Sequence, residues 1–438
     1  MFTHFLCPAS SLSTCAWRST LIKWVAHLRS IGLARTRRVA MEIEADLRQR
    51  GDRLYFSTDL EEWVVTGHSE MVTMLKHSDI RVVSPIPSTA PGQQTDPRAE
   101  ALLRKLEAHE LLLLDGPGHR RLRRALAPAF LPAAVDRLGP RITTMARNLV
   151  DARAATGQVE VLDEIAAPLV RMTVATALGV PEQDREEFDT LARKISKIFL
   201  YSTPHWSPDA LTQAETGMAG LTALVSRLAD DRRAQPRDDL ISTLVNDPDP
   251  AQALSMEEIV VNLWNLYLAG LWTTAHLLAT TTYLLFSRPG PAGSAHQDPG
   301  LVSRVVQETL RYVPPTVELV PRQALRDVQI DGHTIKAGDR LRLMVTKANR
   351  DQTRYTDPDT FDPTHERALP LSFSAGPHYC IGAQLAITMA ERLCQVLTDP
   401  AYGAQLTGPT PSFHRTLTAP VALGIDAVHL QLHPRERV

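Results

Sequence analysis

Cysteine is scarce in this 438-residue chain: four residues, at 7, 15, 380 and 394, none in a CxxC pair and none clustered with histidine. That pattern argues against a disulfide framework and a structural zinc site and suits a reducing compartment, so a cytoplasmic location is expected. Net charge is also small, at −2, which leaves no whole-molecule field to attract nucleic acid or an anionic membrane. The sequence has no internal repeat and no long flexible linker. The first 40 positions lack acidic residues and carry six Lys or Arg. They contain no apolar run followed by a small-residue cleavage site, so 1–40 reads as a poorly specified extension and 41–438 as one domain. Charged residues are missing again from Ile259 to Ser287, a length that can span a bilayer. Asn262, Asn265, His276 and several threonines interrupt that run, and no basic cluster flanks its N-terminal end. Ser255-Met256-Glu257-Glu258 reads as a capping box, the start signal of a water-soluble helix. The expectation is a buried central helix and no membrane span.

What is present is ordinary globular composition, 44% hydrophobic and 22% charged. Helical patterning covers Arg120–Phe130, Ile142–Ala155, Pro168–Leu178, Gln183–Ile198, Ala219–Arg233, 256–286 and Leu301–Tyr312. Turn chemistry marks Asp115-Gly116-Pro117-Gly118 and Arg288-Pro289-Gly290-Pro291. Strand-like pieces are short: Trp63–Thr66, then Val328–Ile335 and Leu341–Val345 on either side of Ala337-Gly338-Asp339. The fold class is therefore mainly α with a small β region, in a single large domain.

The most informative stretch runs from Phe373 to Ala386. A glycine-bearing turn delivers Cys380 to the start of a helix, where free N–H groups and the dipole favour a thiolate. Gly376 and Gly382 keep side chains away from the sulfur, leaving room for a flat group near the backbone. Phe373 would shield the sulfur from water. A shielded, hydrogen-bonded thiolate is what an axial ligand to haem iron requires. A buried structural cysteine and a nucleophilic cysteine paired with His378 are the competing readings of the same residues.

The segment resembles the haem-ligand signature Phe-x-x-Gly-x-His-x-Cys-x-Gly of the cytochrome P450 family at all five named positions: Phe373, Gly376, His378, Cys380 and Gly382. The resemblance extends from about Trp63 to about residue 397. Glu308 and Arg311 match the family's Glu-x-x-Arg pair, which in the family is structural. Asn349-Arg350-Asp351 and Phe361-Asp362-Pro363 look like further landmarks, although His365 stands where the family usually has Arg. By the resemblance, His119, Arg123, Arg322 and His378 bind the haem propionates, and Cys380 ligates the iron of haem b beneath the long central helix. A solvated basic face is the bland reading of His119 and Arg123, given Arg120, Arg121 and Arg124 beside them.

The centre of the long helix, Leu268-Ala269-Gly270-Leu271-Trp272-Thr273-Thr274, resembles the family's Ala/Gly-Gly-x-acid-Thr-Thr motif. Gly270 permits a local distortion, and Thr273 can bond back to the Ala269 carbonyl, opening a notch for dioxygen. The acid is replaced by Trp272, which has one N–H donor and no acceptor and cannot pass protons as a carboxylate does. Trp272 is expected to pack, so water, Thr273, Thr274 or the substrate must carry protons. Ile387 and Met389 replace family Arg and Glu on the ligand helix.

The resemblance implies a monooxygenase that activates dioxygen to hydroxylate a small hydrophobic substrate in secondary-metabolite biosynthesis. Ring coupling, desaturation, peroxygenase chemistry or a silent haem- or carrier-binding protein are alternatives raised by Trp272. With no flavin or pyridine-nucleotide motif evident, electrons are expected from a ferredoxin and its reductase, and a monomer is expected. Substrate-facing candidates are Leu111–Leu114, Phe199–Trp206, Leu268–Thr273 and Val317–Val320, mostly apolar. Glu318 is the charge in that set and is expected to face solvent.

Overall fold

The computed structural model describes residues 52–83, 96–199, 207–288, 295, 298–364, 368–415 and 423–433. Several helices begin where a side chain satisfies the first orphan amides. Helix α1 spans His68–Lys76, and α2 spans Pro97–His109 with Asp96 accepting from the Arg98 amide. Helices α3 (Gly116–Leu126), α4 (Pro132–Ala154), α5 (Ala167–Leu178) and α6 (Arg185–Phe199) follow. Then come α7 (Pro208–Ala234), capped by Ser207, and α8 (Leu240–Val245), capped by Asp239. Proline occupies the opening turn of α2, α3, α4 and α7, where its missing N–H costs nothing.

Helix α9, Met256–Phe286, is the charge-free run, and its capping box is formed in full. Ser255 Oγ accepts from the Glu258 amide at 3.2 Å, and Glu258 Oε2 accepts from the Ser255 amide at 2.9 Å. Most of its residues are buried all around, because α2, α5, α6 and α7 pack on it together with later helices. Those are α10 (Pro299–Tyr312), the one-turn α11 (Val345–Ala348) and α12 (Ala383–Leu397), of which α10 and α12 touch it. Interior burial, not a bilayer, accounts for its composition. Among the described residues no helix is long and apolar enough to cross a membrane.

The β-structure sits to the side. Strands β1 (Leu54–Ser57), β2 (Glu62–Val65) and β3 (Ile80–Val82) precede β4 (Gln158–Glu160). Strands β5 (Arg322–Ala324), β6 (Val328–Ile330), β7 (His333–Ile335) and β8 (Arg340–Leu343) follow α10. The chain ends in β9 (Gln405–Thr407), β10 (Phe413–Arg415), β11 (Leu423–Ile425) and β12 (His429–Gln431). The largest sheet has the order β1-β2-β8-β5-β3. The expected single strand 328–335 is instead a tight hairpin. Asp331 and Gly332 both take positive φ, +48° and +76°, the Asp-Gly turn that joins twisted antiparallel strands. Glu318 does not face solvent: Arg342, which also holds Glu62, donates to it at 2.7 Å. His365, Phe199–Trp206 apart from the helical backbone at 199, and most of 288–300 lie outside what is described.

Candidate active site

The cysteine loop is built by its own backbone. The Cys380 amide donates to the Phe373 carbonyl at 2.8 Å, and the Tyr379 amide donates to Gly376 at 3.1 Å. Ser374 and Gly376 both take positive φ. Gly376 is demanded for a reason other than room beside the sulfur: a Cβ there would meet the Leu75 carbonyl of α1 at 2.5 Å. At Gly382 a Cβ would meet nothing within 4 Å, so this is the glycine that leaves open space next to the ligand position.

The Cys380 side chain is exposed, and the amides of Gly382 and Ala383, at the start of α12, donate to its sulfur. Burial within the dense surrounding loop pushes the thiol up, while those amides and the Arg123 guanidinium pull it back. The net direction is upward.

Helix α3 is locked to this loop. Arg123 donates to the Tyr379 carbonyl at 2.7 Å, and the His119 and His378 rings lie 4.3 Å apart. His378 Nε2 meets Asp115 Oδ1 at 2.9 Å, while Asp115 Oδ2 accepts from the Val82 amide at 2.8 Å. Asp115, read from sequence only as part of a turn, thus ties β3, α3 and the loop together. His119 is 3% exposed and its Nε2 has no hydrogen-bond partner. Burial, with His378 and Arg123 adding, pushes it down to about 4. Arg322, 4% exposed on β5, bonds to its neighbours' carbonyls at Val320 and Pro321. Burial pushes it down to about 10.

A buried imidazole without an acceptor and a buried guanidinium weakened by desolvation are groups that an anion would relieve. The residues therefore fit a haem: carboxylates on one edge meeting His119, Arg322 and the α3 side of the loop, and a soft sulfur donor at Cys380.

The Glu308–Arg311 pair is almost wholly buried, with both guanidinium–carboxylate bonds at 2.7 Å. Arg311 also donates to the carbonyls of Asn349, Pro358 and Thr360, and Glu308 accepts from the Asp362 amide. Backbone carbonyls and an amide thus meet the pair from neighbouring segments.

On α9 the residues separate by face. Leu266, Leu268, Ala269, Gly270, Trp272 and Thr273 are the partly or fully exposed ones in the middle of the helix, whereas Thr274 is buried. Thr273 Oγ1 donates to the Ala269 carbonyl at 2.7 Å. Gly270 lies against Val174 of α5, 3.4 Å from where its Cβ would be, and the helix runs unbroken through it. Its smallness serves helix packing. Trp272 is not packed away: it is 37% exposed and stacks on His276. Sequence reasoning missed Glu110, fully buried and bonded to Asn265 of α9.

The cytochrome P450 family model matches residues 63–397. The chain belongs to the cytochrome P450 family. The match spans well over half of the sequence, and it is a haem-binding monooxygenase with an oxidoreductase's need for electrons from redox partners. Cytochrome P450 monooxygenase PikC of Streptomyces venezuelae is 32% identical over 82% of this chain and 85% of its own length. The mycinamicin IV hydroxylase/epoxidase of Micromonospora griseorubida is 32% identical over 80% and 84%. Among solved structures, P450BioI in complex with hexadec-9Z-enoic acid ligated acyl carrier protein superposes with a TM-score of 0.74. That pair is 26% identical, over 94% of this chain and 97% of the other.

Proposed function

We propose that this cytochrome P450 hydroxylates a hydrophobic molecule of moderate size in natural-product biosynthesis, using haem b held by Cys380. One observation carries the residue assignment. His119, buried with an unpartnered Nε2, lies 4.3 Å ring to ring from His378, two residues before an exposed sulfur that receives two amide donors. In this reading His119, Arg123, Arg322 and His378 hold the propionates. Phe373 and Gly382 border the sulfur, and Glu308 with Arg311 fixes the surrounding segments. When bound, haem supplies the activation of dioxygen.

The protein's part is binding and positioning. Leu111–Leu114, Leu268 and Val317–Val320 offer an apolar wall that orients substrate and excludes water. Ala269 and Thr273 offer a hydrogen-bonded turn on the exposed face of α9. The relative named as a mycinamicin IV hydroxylase/epoxidase and the P450BioI structure with a ligated acyl carrier protein support a natural-product substrate, either free or attached to a carrier. A ferredoxin with its reductase is the proposed electron source, and the scarce cysteines support a cytoplasmic setting.

Spectroscopy of the reduced protein with carbon monoxide tests the assignment. Wild type should show the thiolate-ligated band and Cys380→Ala should lack it; an identical spectrum in both would remove the ligand. A screen for ligand-induced spin-state change, with free and carrier-linked acyl chains, then narrows the substrate.

A further inference from the structure

The exposed face of α9 lacks its own acid, yet a carboxyl from elsewhere in the chain is bonded to the helix one turn before it. Glu110 ends α2, its amide bonded to the Leu106 carbonyl. It is 0% exposed. Oε1 accepts from Nδ2 of Asn265, and Oε2 has no hydrogen-bond partner.

The flanking backbone is pinned to α9 as well. The Leu111 amide donates to Asn262 Oδ1 at 2.9 Å, and Asn262 Nδ2 donates to the His109 and Glu258 carbonyls, each at 2.8 Å. Glu110 is thus fixed in place. At about 100° per residue, Asn265 lies in azimuth between Ala269 and Trp272, and one turn of about 6 Å toward the helix start. The carboxyl is therefore buried about one turn ahead of Ala269, on the side of the helix that carries Ala269, Trp272 and Thr273.

Its surroundings keep it neutral. Burial pushes the carboxyl up to about 8; the Asn265 bond opposes this and Glu107 adds to it. On α9 the facing groups Asn262 and Asn265 are uncharged, and Glu258 is paired with Arg121 of α3. His109 and Lys105 of α2 lie against Glu257, and Glu215 of α7 lies near Arg98. With Oε1 occupied by Asn265, the proton belongs on Oε2, an O–H in the interior that lacks a protein acceptor.

We propose that Glu110 is the proton donor for oxygen activation, replacing across α9 the acid that Trp272 displaces. Each hydroxylation consumes substrate R–H, dioxygen, two electrons from the redox partner and two protons, and yields R–OH and water. The Oε2–H bond breaks, its proton passes through water along that side of the helix toward Thr273, and the dioxygen-derived oxygen that leaves as water receives it. The glutamate anion left behind keeps its bond from Asn265 and regains a proton from solvent.

The proposal rests on haem binding at Cys380, which the carbon monoxide band reports independently in every sample. Infrared pH titration of that complex, with and without 13C-labelled glutamate, reads the carboxyl directly. Wild type should show a labelled protonated-acid band at pH 7 that disappears near pH 8, and Glu110→Gln should lack it. NADPH oxidation through ferredoxin and its reductase, in H2O and D2O with no substrate added, supplies the second readout. Glu110→Gln should slow the proton-dependent part by about 10²-fold and abolish the inflection near pH 8. Glu110→Gln keeps the acceptor for Asn265, whereas Asn265→Ala removes the clamp and keeps the proton. A donor role predicts the larger effect from the first, a structural role from the second. No protonated glutamate band in wild type, or a solvent isotope effect and pH profile unchanged in Glu110→Gln, overturns the assignment.

Discussion

The cysteine loop and the middle of α9 face the same chemistry and are specified in opposite ways. The loop from Phe373 to Gly382 is held by contiguous backbone: a 2.8 Å amide bond closes it, and two positive-φ residues turn it. Few residue types satisfy such geometry, so its sequence is narrow. The middle of α9 is regular helix, and apart from Gly270, which lies against Val174, backbone geometry does not dictate the residues on its exposed face. Its function there can be assembled from distant parts of the chain, and Trp272 with Glu110 illustrates how.

The largest effect expected from this contrast is at Cys380. Cys380→Ala should abolish the thiolate-haem spectrum and all turnover, while Thr273→Ala should keep the spectrum and change only the use of oxygen. A Cys380→Ala protein that retained the reduced carbon monoxide band would show that the loop is not the ligand site. Next comes Arg311→Ala. It strands a buried carboxylate and removes donors to three carbonyls, so a loss of about 3–5 kcal/mol in denaturant melts is expected. A loss below 1 kcal/mol would mean the clamp is redundant.

The third expectation moves to the α9 side and concerns Glu110 alone. A carboxyl raised to about 8 in the folded chain, and at its ordinary value near 4.5 when unfolded, binds an extra proton only when folded. Stability should therefore fall as pH rises from about 4.5 to about 8, by up to roughly 1.4 kcal/mol per pH unit, and stay level above that. Glu110→Gln should flatten this slope and be the more stable protein at pH 8. Parallel melting profiles for the two proteins would show that Glu110 is charged or solvated in the fold.

These differences explain what was legible in the sequence. The capped α9 could be read because local rules impose its first-turn residues, whereas the Cys380 loop and Glu308–Arg311 were recognised by their resemblance to the family's motifs. The Asp331-Gly332 turn was equally legible and was overlooked inside a segment read as one strand. Asp115 and Glu110 were not legible. Their partners His378 and Asn265 lie 263 and 155 positions away, and nothing at short range announces such a contact. Trp272 misled for a related reason: its size suggested packing, yet its face of α9 is partly exposed.

The smallest expected effect sharpens the comparison most, because it depends on two positions together. If α9 takes its acid from Glu110, Trp272→Asp in the wild type adds a second donor to a face already served. Product formed per NADPH should then change little. In the Glu110→Gln background the same substitution supplies the only carboxyl on that face and should restore much of the lost coupling. The effects must be non-additive, since both acids act on one proton path. A large gain from Trp272→Asp alone, with no added benefit in the Glu110→Gln background, would mean that water without a nearby acid supplies the native protons and that Glu110 only anchors α2 to α9.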